Sequence, residues 1–355
     1  MRAVVIGASG NFGGRIARAL QQDSGIEVVR AGRHSVEARL DMHASGFERD
    51  LSALRPGLVI HCAGPFQGQD YRVARAALAA GAHYLDLADG REFVARFHDR
   101  NDAAAKTANC LALSGASTLP ALSVAVIDSL QPRFAQLEEI QIVIAPGQRA
   151  PRGAATIAGV FSYAGKPFKV LRDGAWADAW GWQGLRRVRI EGLGARWAAA
   201  CDVPDLELLP LRYPDVKTVD FRAALELGIQ HFALWIAASL RRAGVPMAIE
   251  HWAAPLDTVA SWLDWFGSER GGMLVSVTGT NPQGGRKRFE WRLVADDNHG
   301  PEIPCMPAIL LARKLARGDI AERGAYPCMG FLELKSFEPE FARWGMETSL
   351  DEHEA

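Results

Sequence analysis

The sequence predicts an α/β protein, with an N-terminal doubly wound parallel sheet followed by an α+β domain built on a mostly antiparallel sheet. Three observations carry this reading. From residue 1 to about 130, short β-branched apolar runs alternate with helical stretches, the pattern of repeated βαβ units. Beyond residue 135 the apolar residues take a period of two, as in strands with one buried face. All ten tryptophans lie between Trp176 and Trp344, so composition shifts along a chain whose 355 residues exceed the usual size of a single core.

In the first domain, strands are expected at Ala3 to Ile6, Glu27 to Ala31, Leu58 to Cys62, Tyr84 to Leu87 and Cys110 to Ser114. The first runs directly into Gly7-Ala8-Ser9-Gly10-Asn11-Phe12-Gly13-Gly14, after which Ile16, Ala17 and Leu20 continue at helical spacing. A strand turning sharply into a helix presents free N–H groups and the positive end of the helix dipole, which together suit a pyrophosphate. Glycines let the backbone turn and come within contact distance of the ligand. Gly7, Ser9, Gly10, Asn11, Phe12 and Gly13 are therefore the expected dinucleotide-binding residues of a Rossmann-type domain. The second strand ends in Gly32-Arg33-His34-Ser35, with no Asp or Glu to accept hydrogen bonds from a ribose. Arg33, helped by Arg30 and Ser35, instead offers a guanidinium to a 2′-phosphate, so the expected cofactor is NADP (NADPH) rather than NAD. Asp70 to Ala80 reads as a helix, with Val73, Ala77 and Leu78 on one side and Gly81 as its stop.

The second domain begins with the alternating Ile140, Ile142 and Ile144, then Val188 and Ile190. Leu274 to Thr278 is expected to pair with Phe289, Trp291 and Leu293 across the turn Asn281-Pro282-Gln283-Gly284-Gly285. Leu225 to Leu240 reads as a helix covering one face of a half-buried sheet. The expected organisation is residues 1–130, residues 131–345 with their last part able to return to the first domain, and a frayed acidic tail at 346–355.

A formal net charge of -1 gives no reason to expect nucleic acid or an acidic membrane surface, and Arg186-Arg187 and Arg286-Lys287-Arg288 read as solvated faces. Cys62, Cys110, Cys201, Cys305 and Cys328 are odd in number and lack a Cys-x-x-Cys pair, which predicts reduced thiols in a cytoplasmic protein. The histidines show no His-x-x-x-His spacing, so no metal is expected. The first apolar run is broken by glycine too soon for a signal peptide, and no stretch of about 20 apolar residues predicts a membrane span.

Four segments together give the chain a resemblance to the saccharopine dehydrogenase-like oxidoreductases, also called the saccharopine reductase group. They are Gly7-Ala8-Ser9-Gly10-Asn11-Phe12-Gly13, Ala31-Gly32-Arg33, His61-Cys62-Ala63-Gly64-Pro65-Phe66 and Gly81-Ala82-His83-Tyr84-Leu85-Asp86-Leu87. The likeness is close over the first 130 residues and looser beyond, where Gly115-Ala116-Ser117-Thr118-Leu119-Pro120 lacks the Phe-Asp often seen in that family. Gly300-Pro301-Glu302-Ile303-Pro304 and Gly324-Ala325-Tyr326-Pro327-Cys328 resemble the closing segment of uncharacterised members. The resemblance implies an NADP-dependent oxidoreductase acting on a small amino acid, imine or carbonyl substrate, and a homodimer formed through the second domain. It also implies that Ala63, Gly64, Pro65 and Phe66 line the nicotinamide ribose, and that Asp86 or Asp89 faces the nicotinamide or substrate.

No catalytic proton donor is identified. Tyr213-Pro214-Asp215-Val216-Lys217 has the letters of the helical Tyr-x-x-x-Lys of short-chain dehydrogenases, but its prolines predict an irregular segment. An amino dicarboxylate would need convergent cations, for which Arg149, Arg152, Lys166 and Lys169 are available, and Trp176 to Trp182 is a candidate apolar wall. The competing functional class is a non-catalytic NADPH-binding, sensing or assembly protein, and an atypical short-chain dehydrogenase is the further alternative.

Overall fold

The computed structural model describes residues 1–35, 37–151, 153–246 and 261–355. The chain forms two compact units, the first of residues 1–122 and 301–332, the second of residues 123–300 and 333–355.

In the first unit, β1 (Arg2–Ile6), β2 (Glu27–Gly32), β3 (Ala38–Arg39), β4 (Leu58–His61), β5 (His83–Asp86), β6 (Leu111–Ser114) and β15 (Gly324–Pro327) form one sheet. Its order is β15-β6-β5-β4-β1-β2-β3 and every pairing is parallel. Parallel strands covered on both faces must be apolar throughout, which is why β4 and β6 are buried along their whole length. The connecting helices are α1 (Asn11–Leu20), α2 (Phe47–Ala53), α3 (Arg72–Ala79), α4 (Arg91–Ala95) and α5 (Phe97–Thr107). The first strand, its glycine turn and α1 lie where the sequence places them, and Ile16, Ala17 and Leu20 form the buried face of that helix.

The segment 301–332, which the sequence places in the second domain with its last part able to return to the first, belongs to the first unit. It supplies α10 (Met306–Arg317) and the edge strand β15. An edge strand leaves unpaired backbone groups, and α5 satisfies those of Ala325. Its N–H donates to the Asp102 carboxylate at 3.1 Å and its carbonyl accepts from His98 Nδ1 at 2.7 Å.

The second unit is built on a mixed sheet of β7 (Gln136–Ala145), β10 (Arg186–Ile190), β11 (Gly194–Ala200), β12 (Thr218–Ala223), β13 (Gly271–Thr280), β14 (Arg286–Ala295) and β16 (Glu347–Glu354). The order is β10-β11-β12-β7-β13-β14-β16, and the β12–β7 pair is parallel within an otherwise antiparallel sheet. The hairpin β8 (Pro167–Arg172) and β9 (Ala175–Trp180) forms its own two-stranded sheet, its turn hydrogen-bonded to Thr218 of β12 at 3.0 Å. Its helices include α6 (Ser123–Leu130), α7 (Ala154–Tyr163), α8 (Asp205–Arg212), α9 (Gly228–Arg242) and α11 (Glu338–Arg343). Among the described residues no helix is long and apolar enough to cross a membrane.

Two expectations for this unit are corrected. The central strand β13 is buried on both faces rather than one, with Ser276 and Thr278 as covered as Val275 and Val277. The reason is a charged layer, in which the Arg288 Nε–H donates to Ser276 Oγ at 2.7 Å and the guanidinium pairs with Glu290. The last residues are not a frayed tail but β16, antiparallel to β14. Its acidic side chains need basic partners opposite them, and β14 provides these: Lys287 pairs with Glu352 and Glu354, and Arg292 with Asp351. The cluster Arg286-Lys287-Arg288 is accordingly paired, not merely solvated. Because β16 covers the β14 edge, removing residues 346–355 should yield a protein that self-associates as its concentration rises, seen as increasing light scattering. A truncated protein that stays monodisperse would show that β14 tolerates exposure.

Candidate functional site

The strands β1 and β4 are neighbours in the sheet although they are not consecutive in the chain. The chain departs from them in opposite directions, and in open α/β sheets the ligand crevice lies at the carboxyl ends of such a pair. Two segments singled out from the sequence meet there. Gly7 has φ +85°, and a Cβ on it would stand 3.0 Å from the Ala63 backbone nitrogen, so the turn after β1 touches the turn after β4. The Gly7 N–H donates to the Ala31 carbonyl at 2.9 Å, and the Gly10 N–H to the Gly7 carbonyl at 2.9 Å. A Cβ on Gly13 would lie 2.4 Å from the Gly7 oxygen, a contact only glycine permits.

The first turn of α1 is thereby pressed against the strand that feeds it. Gly14 N–H reaches the Gly10 carbonyl at 3.0 Å, whereas Phe12 and Gly13 donate to no backbone carbonyl among the described residues. Such groups at a helix start are available to an anion and carry the positive end of the dipole. The residues present therefore fit a pyrophosphate, with Ser9 and Gly10 exposed and Asn11 and Phe12 half-buried.

After β4 the chain is held by Gln69. Its Nε2 donates to the carbonyls of Ala63 at 2.9 Å and Pro65 at 2.6 Å, while its Oε1 lies 3.2 Å from His61 Nε2. Burial pushes the His61 imidazole down to about 4, opposed by Gln69, so the ring is neutral near pH 7. Phe66 turns inward, its ring edge-on to His61 at 5.0 Å and 5.5 Å from Phe93. That residue is only 4% exposed, so the part expected of Phe66 in the lining would fall to its backbone, as for Ala63, Gly64 and Pro65.

At the end of β2, Arg33 is exposed and makes no hydrogen bond or ion pair through its side chain among the described residues. Its two expected helpers are committed elsewhere. Arg30 Nη2 donates to the Ala8 carbonyl at 3.3 Å, and Ser35 donates its hydroxyl to the Arg30 carbonyl. The loop also contains a carboxylate that the sequence reading passed over, since Glu37 Oε2 accepts the Arg30 N–H at 2.7 Å. It lies beyond the usual ribose-binding position in sequence and is brought back by the short return to β3.

Asp86 closes β5 and is completely buried. Its Oδ1 accepts from Ala88 N–H at 3.0 Å, Ser114 Oγ at 3.0 Å and Gly115 N–H at 2.8 Å. Burial pushes its carboxyl up to about 6 despite these donors. Asp86 thus fixes the turn after β6 and is shut off from solvent. Asp89 is half-buried; burial raises its carboxyl, and Gln67 Nε2 donates to it at 3.2 Å.

The Tyr213 and Lys217 pair does not share a helix. Tyr213 ends α8 with φ -121°, its hydroxyl bonded to Asp128 at 2.6 Å, while the Lys217 N–H donates to the Glu138 carbonyl. Two of the candidate substrate cations of the second unit have partners of their own, Arg149 and Lys169. Arg149 Nε donates to the Asp264 carbonyl at 3.0 Å, Lys169 on β8 pairs with Asp178 on β9 at 2.8 Å, Lys166 follows the end of α7, and Arg152 lies outside the described residues. The tryptophan run also divides. Trp182 is core beside His231, Trp180 carries Arg242 over its ring at 4.7 Å, and Trp176 is exposed. Among the described residues no group of three or more His, Cys, Asp or Glu could hold a metal ion.

Neither the models of protein families nor the curated proteins include a match to this chain. Solved structures do. Apo saccharopine dehydrogenase (L-Glu forming) from Saccharomyces cerevisiae superposes with a TM-score of 0.65 at 12% identity, covering 99% of each chain. C. glutamicum DAP dehydrogenase in complex with DAP matches with a TM-score of 0.50 at 14% identity, covering 96% of this chain and 98% of that one. The chain therefore shares its fold with these dehydrogenases.

The buried Asp86 carboxyl gives this site a pH signature. Its pKa in the folded state, about 6, lies above the ordinary aspartate value of 3.8, so its contribution to stability is fully present below pH 3.8 and is lost as pH rises through about 6. Asp86→Asn keeps an acceptor for the three donors and removes the charge. It should flatten the pH dependence of stability between pH 4 and 7, a change of up to about 3 kcal/mol measured by denaturant unfolding. An unchanged pH profile would mean that Asp86 is not the group titrating.

Proposed function

We propose that this chain is an NADP-dependent oxidoreductase of the saccharopine dehydrogenase-like type, transferring hydride to or from a small amino acid, imine or carbonyl substrate. The observation that carries this reading is the backbone contact between Gly7 and Ala63, which joins the glycine turn and the β4 turn at the carboxyl ends of neighbouring strands. The bound nicotinamide would supply or accept the hydride. In this reading the Phe12 and Gly13 N–H groups hold the pyrophosphate together with the α1 dipole, and the exposed Arg33 takes the 2′-phosphate. The backbone of Ala63, Gly64 and Pro65, held by Gln69, lines the nicotinamide ribose. An amino-acid type of substrate is supported by the fold shared with a saccharopine dehydrogenase and a DAP dehydrogenase.

A homodimer through the second unit is part of the same proposal, supported by the exposed apolar residues Ile229, Phe232, Ile236 and Leu240 along α9. The five unpaired cysteines support a reducing compartment such as the cytoplasm.

The test is a titration of the purified protein with NADPH and with NADH, followed by tryptophan quenching. NADPH should bind about tenfold to a hundredfold tighter than NADH, the worth of one charge-assisted phosphate contact. Arg33→Ala should remove that preference while the thermal unfolding curve stays in place. Equal losses for both nucleotides would take Arg33 out of the phosphate site, and binding of neither by the unmodified protein would end the oxidoreductase reading.

A further inference from the structure

The strand β4 ends in a histidine where a parallel strand covered on both faces calls for an apolar residue. His61 is 1% exposed. Burying an imidazole costs free energy unless its nitrogens are hydrogen-bonded, and only one of them is. Nε2 faces Gln69 Oε1 at 3.2 Å, while Nδ1 is buried with no partner among the described residues. Aromatic neighbours hold the ring, Phe66 edge-on at 5.0 Å between centroids and Tyr84 at 6.4 Å.

The position of the imidazole hydrogen follows from what the neighbouring groups can do. The carbonyls of Ala63 and Pro65 only accept, so the end of Gln69 that meets them, at 2.9 and 2.6 Å, is its N–H₂. The other end, Oε1, also only accepts, so His61 Nε2 must carry the hydrogen. Nδ1 is then a bare acceptor. The opposite tautomer would bury a donor without an acceptor and set two acceptors against each other. Gln69 belongs to the same loop as the two carbonyls, so its bonds to them shape the loop without fastening it to the sheet. The His61 bond is what ties it to the end of β4. Farther along, the loop has a separate attachment to the turn after β5: Gln67 Nε2 donates to Asp89 at 3.2 Å, and a Cβ on Gly90 would lie 3.3 Å from the Gln67 nitrogen.

We propose that His61 is a positioning residue for the nicotinamide half of the cofactor: its Nε2–H anchors Gln69, and Gln69 holds the Ala63 and Pro65 carbonyls and with them the backbone that meets the nicotinamide ribose. The inference rests on the dinucleotide reading of this crevice. It accounts for a polar side chain in the middle of a parallel sheet, since a leucine at 61 would suit the strand and leave the turn unfastened.

Two measurements test it. Proton–nitrogen correlation NMR of the unliganded protein at pH 7, with the His61 signals assigned by their loss in His61→Leu, should show the Nε2–H tautomer. The Nδ1–H tautomer would overturn the proposal whatever the ligand. Calorimetric titration then compares NADPH with adenosine 2′,5′-bisphosphate, which lacks the nicotinamide and its ribose. His61→Leu and Gln69→Leu should each weaken NADPH about threefold to tenfold, the net worth of one hydrogen bond, and leave the bisphosphate unchanged. The double variant should bind NADPH no more weakly than Gln69→Leu alone, because both changes interrupt the same tie. His61→Gln, whose N–H₂ falls near the place of Nε2, should recover most of the affinity. Equal losses for the two ligands would mean that His61 only stabilises the first unit, and would overturn the proposal. If His61→Leu does not fold, the half-buried Gln69→Leu carries the same comparison. Failure of the unmodified protein to bind NADPH would refute the dinucleotide reading itself, whereas unaltered NADPH binding by every variant would refute only the role of His61.

Discussion

The carbonyl oxygen of Gly7 is the fixed point of the first unit. With Gly13 lying so close that a Cβ would be 2.4 Å from that oxygen, α1 starts hard against β1. The same glycine, at φ +85°, keeps the β1 turn against Ala63 and receives the Gly10 N–H. Every other feature of the site is arranged around this contact. The helix start that carries unpaired N–H groups, the turn after β4 and the side chains on the first turns of α1 would all move if a single methyl group were inserted. Glycine is the only residue compatible with both the left-handed backbone at 7 and the close approach at 13.

Much of this was legible in the sequence because its signals are local. Strands buried on both faces appear as unbroken apolar runs, and Leu58 to Cys62 or Cys110 to Ser114 can be read without any knowledge of their neighbours. Glycine spacing and helical periodicity likewise report on adjacent residues. Arg33 was readable as a cation offered to a phosphate, although the helpers it was given, Arg30 and Ser35, are taken up by the turn itself.

What escaped reading was whatever depends on a distant partner. Glu37 looks like a loop acid until β3 returns it to Arg30. Glu347 to Glu354 looks unstructured because its charges are matched only by those of β14, more than fifty residues earlier in the chain. Gly324 to Pro327 contains a proline and few apolar residues, a composition that a central strand forbids and an edge strand accepts. Ser276 and Thr278 break an apolar run, and only the arginine layer beside them makes that break compatible with burial. In each case the missing information is tertiary, not a propensity that could have been weighed differently.

The placement of β15 bears on how the protein is made. A ribosome that has synthesised residues 1–122 has made six of the seven strands of the first sheet, and β6 still lacks the strand that pairs with its outer edge. The whole segment 123–300 must emerge before α10 and β15 can dock. The first unit is therefore among the last parts of the chain to be completed rather than the first. During translation, the docking of α10 and the pairing of β6 with β15 arrive together, and a nascent chain stalled within the second unit would have the glycine turn but neither of these elements.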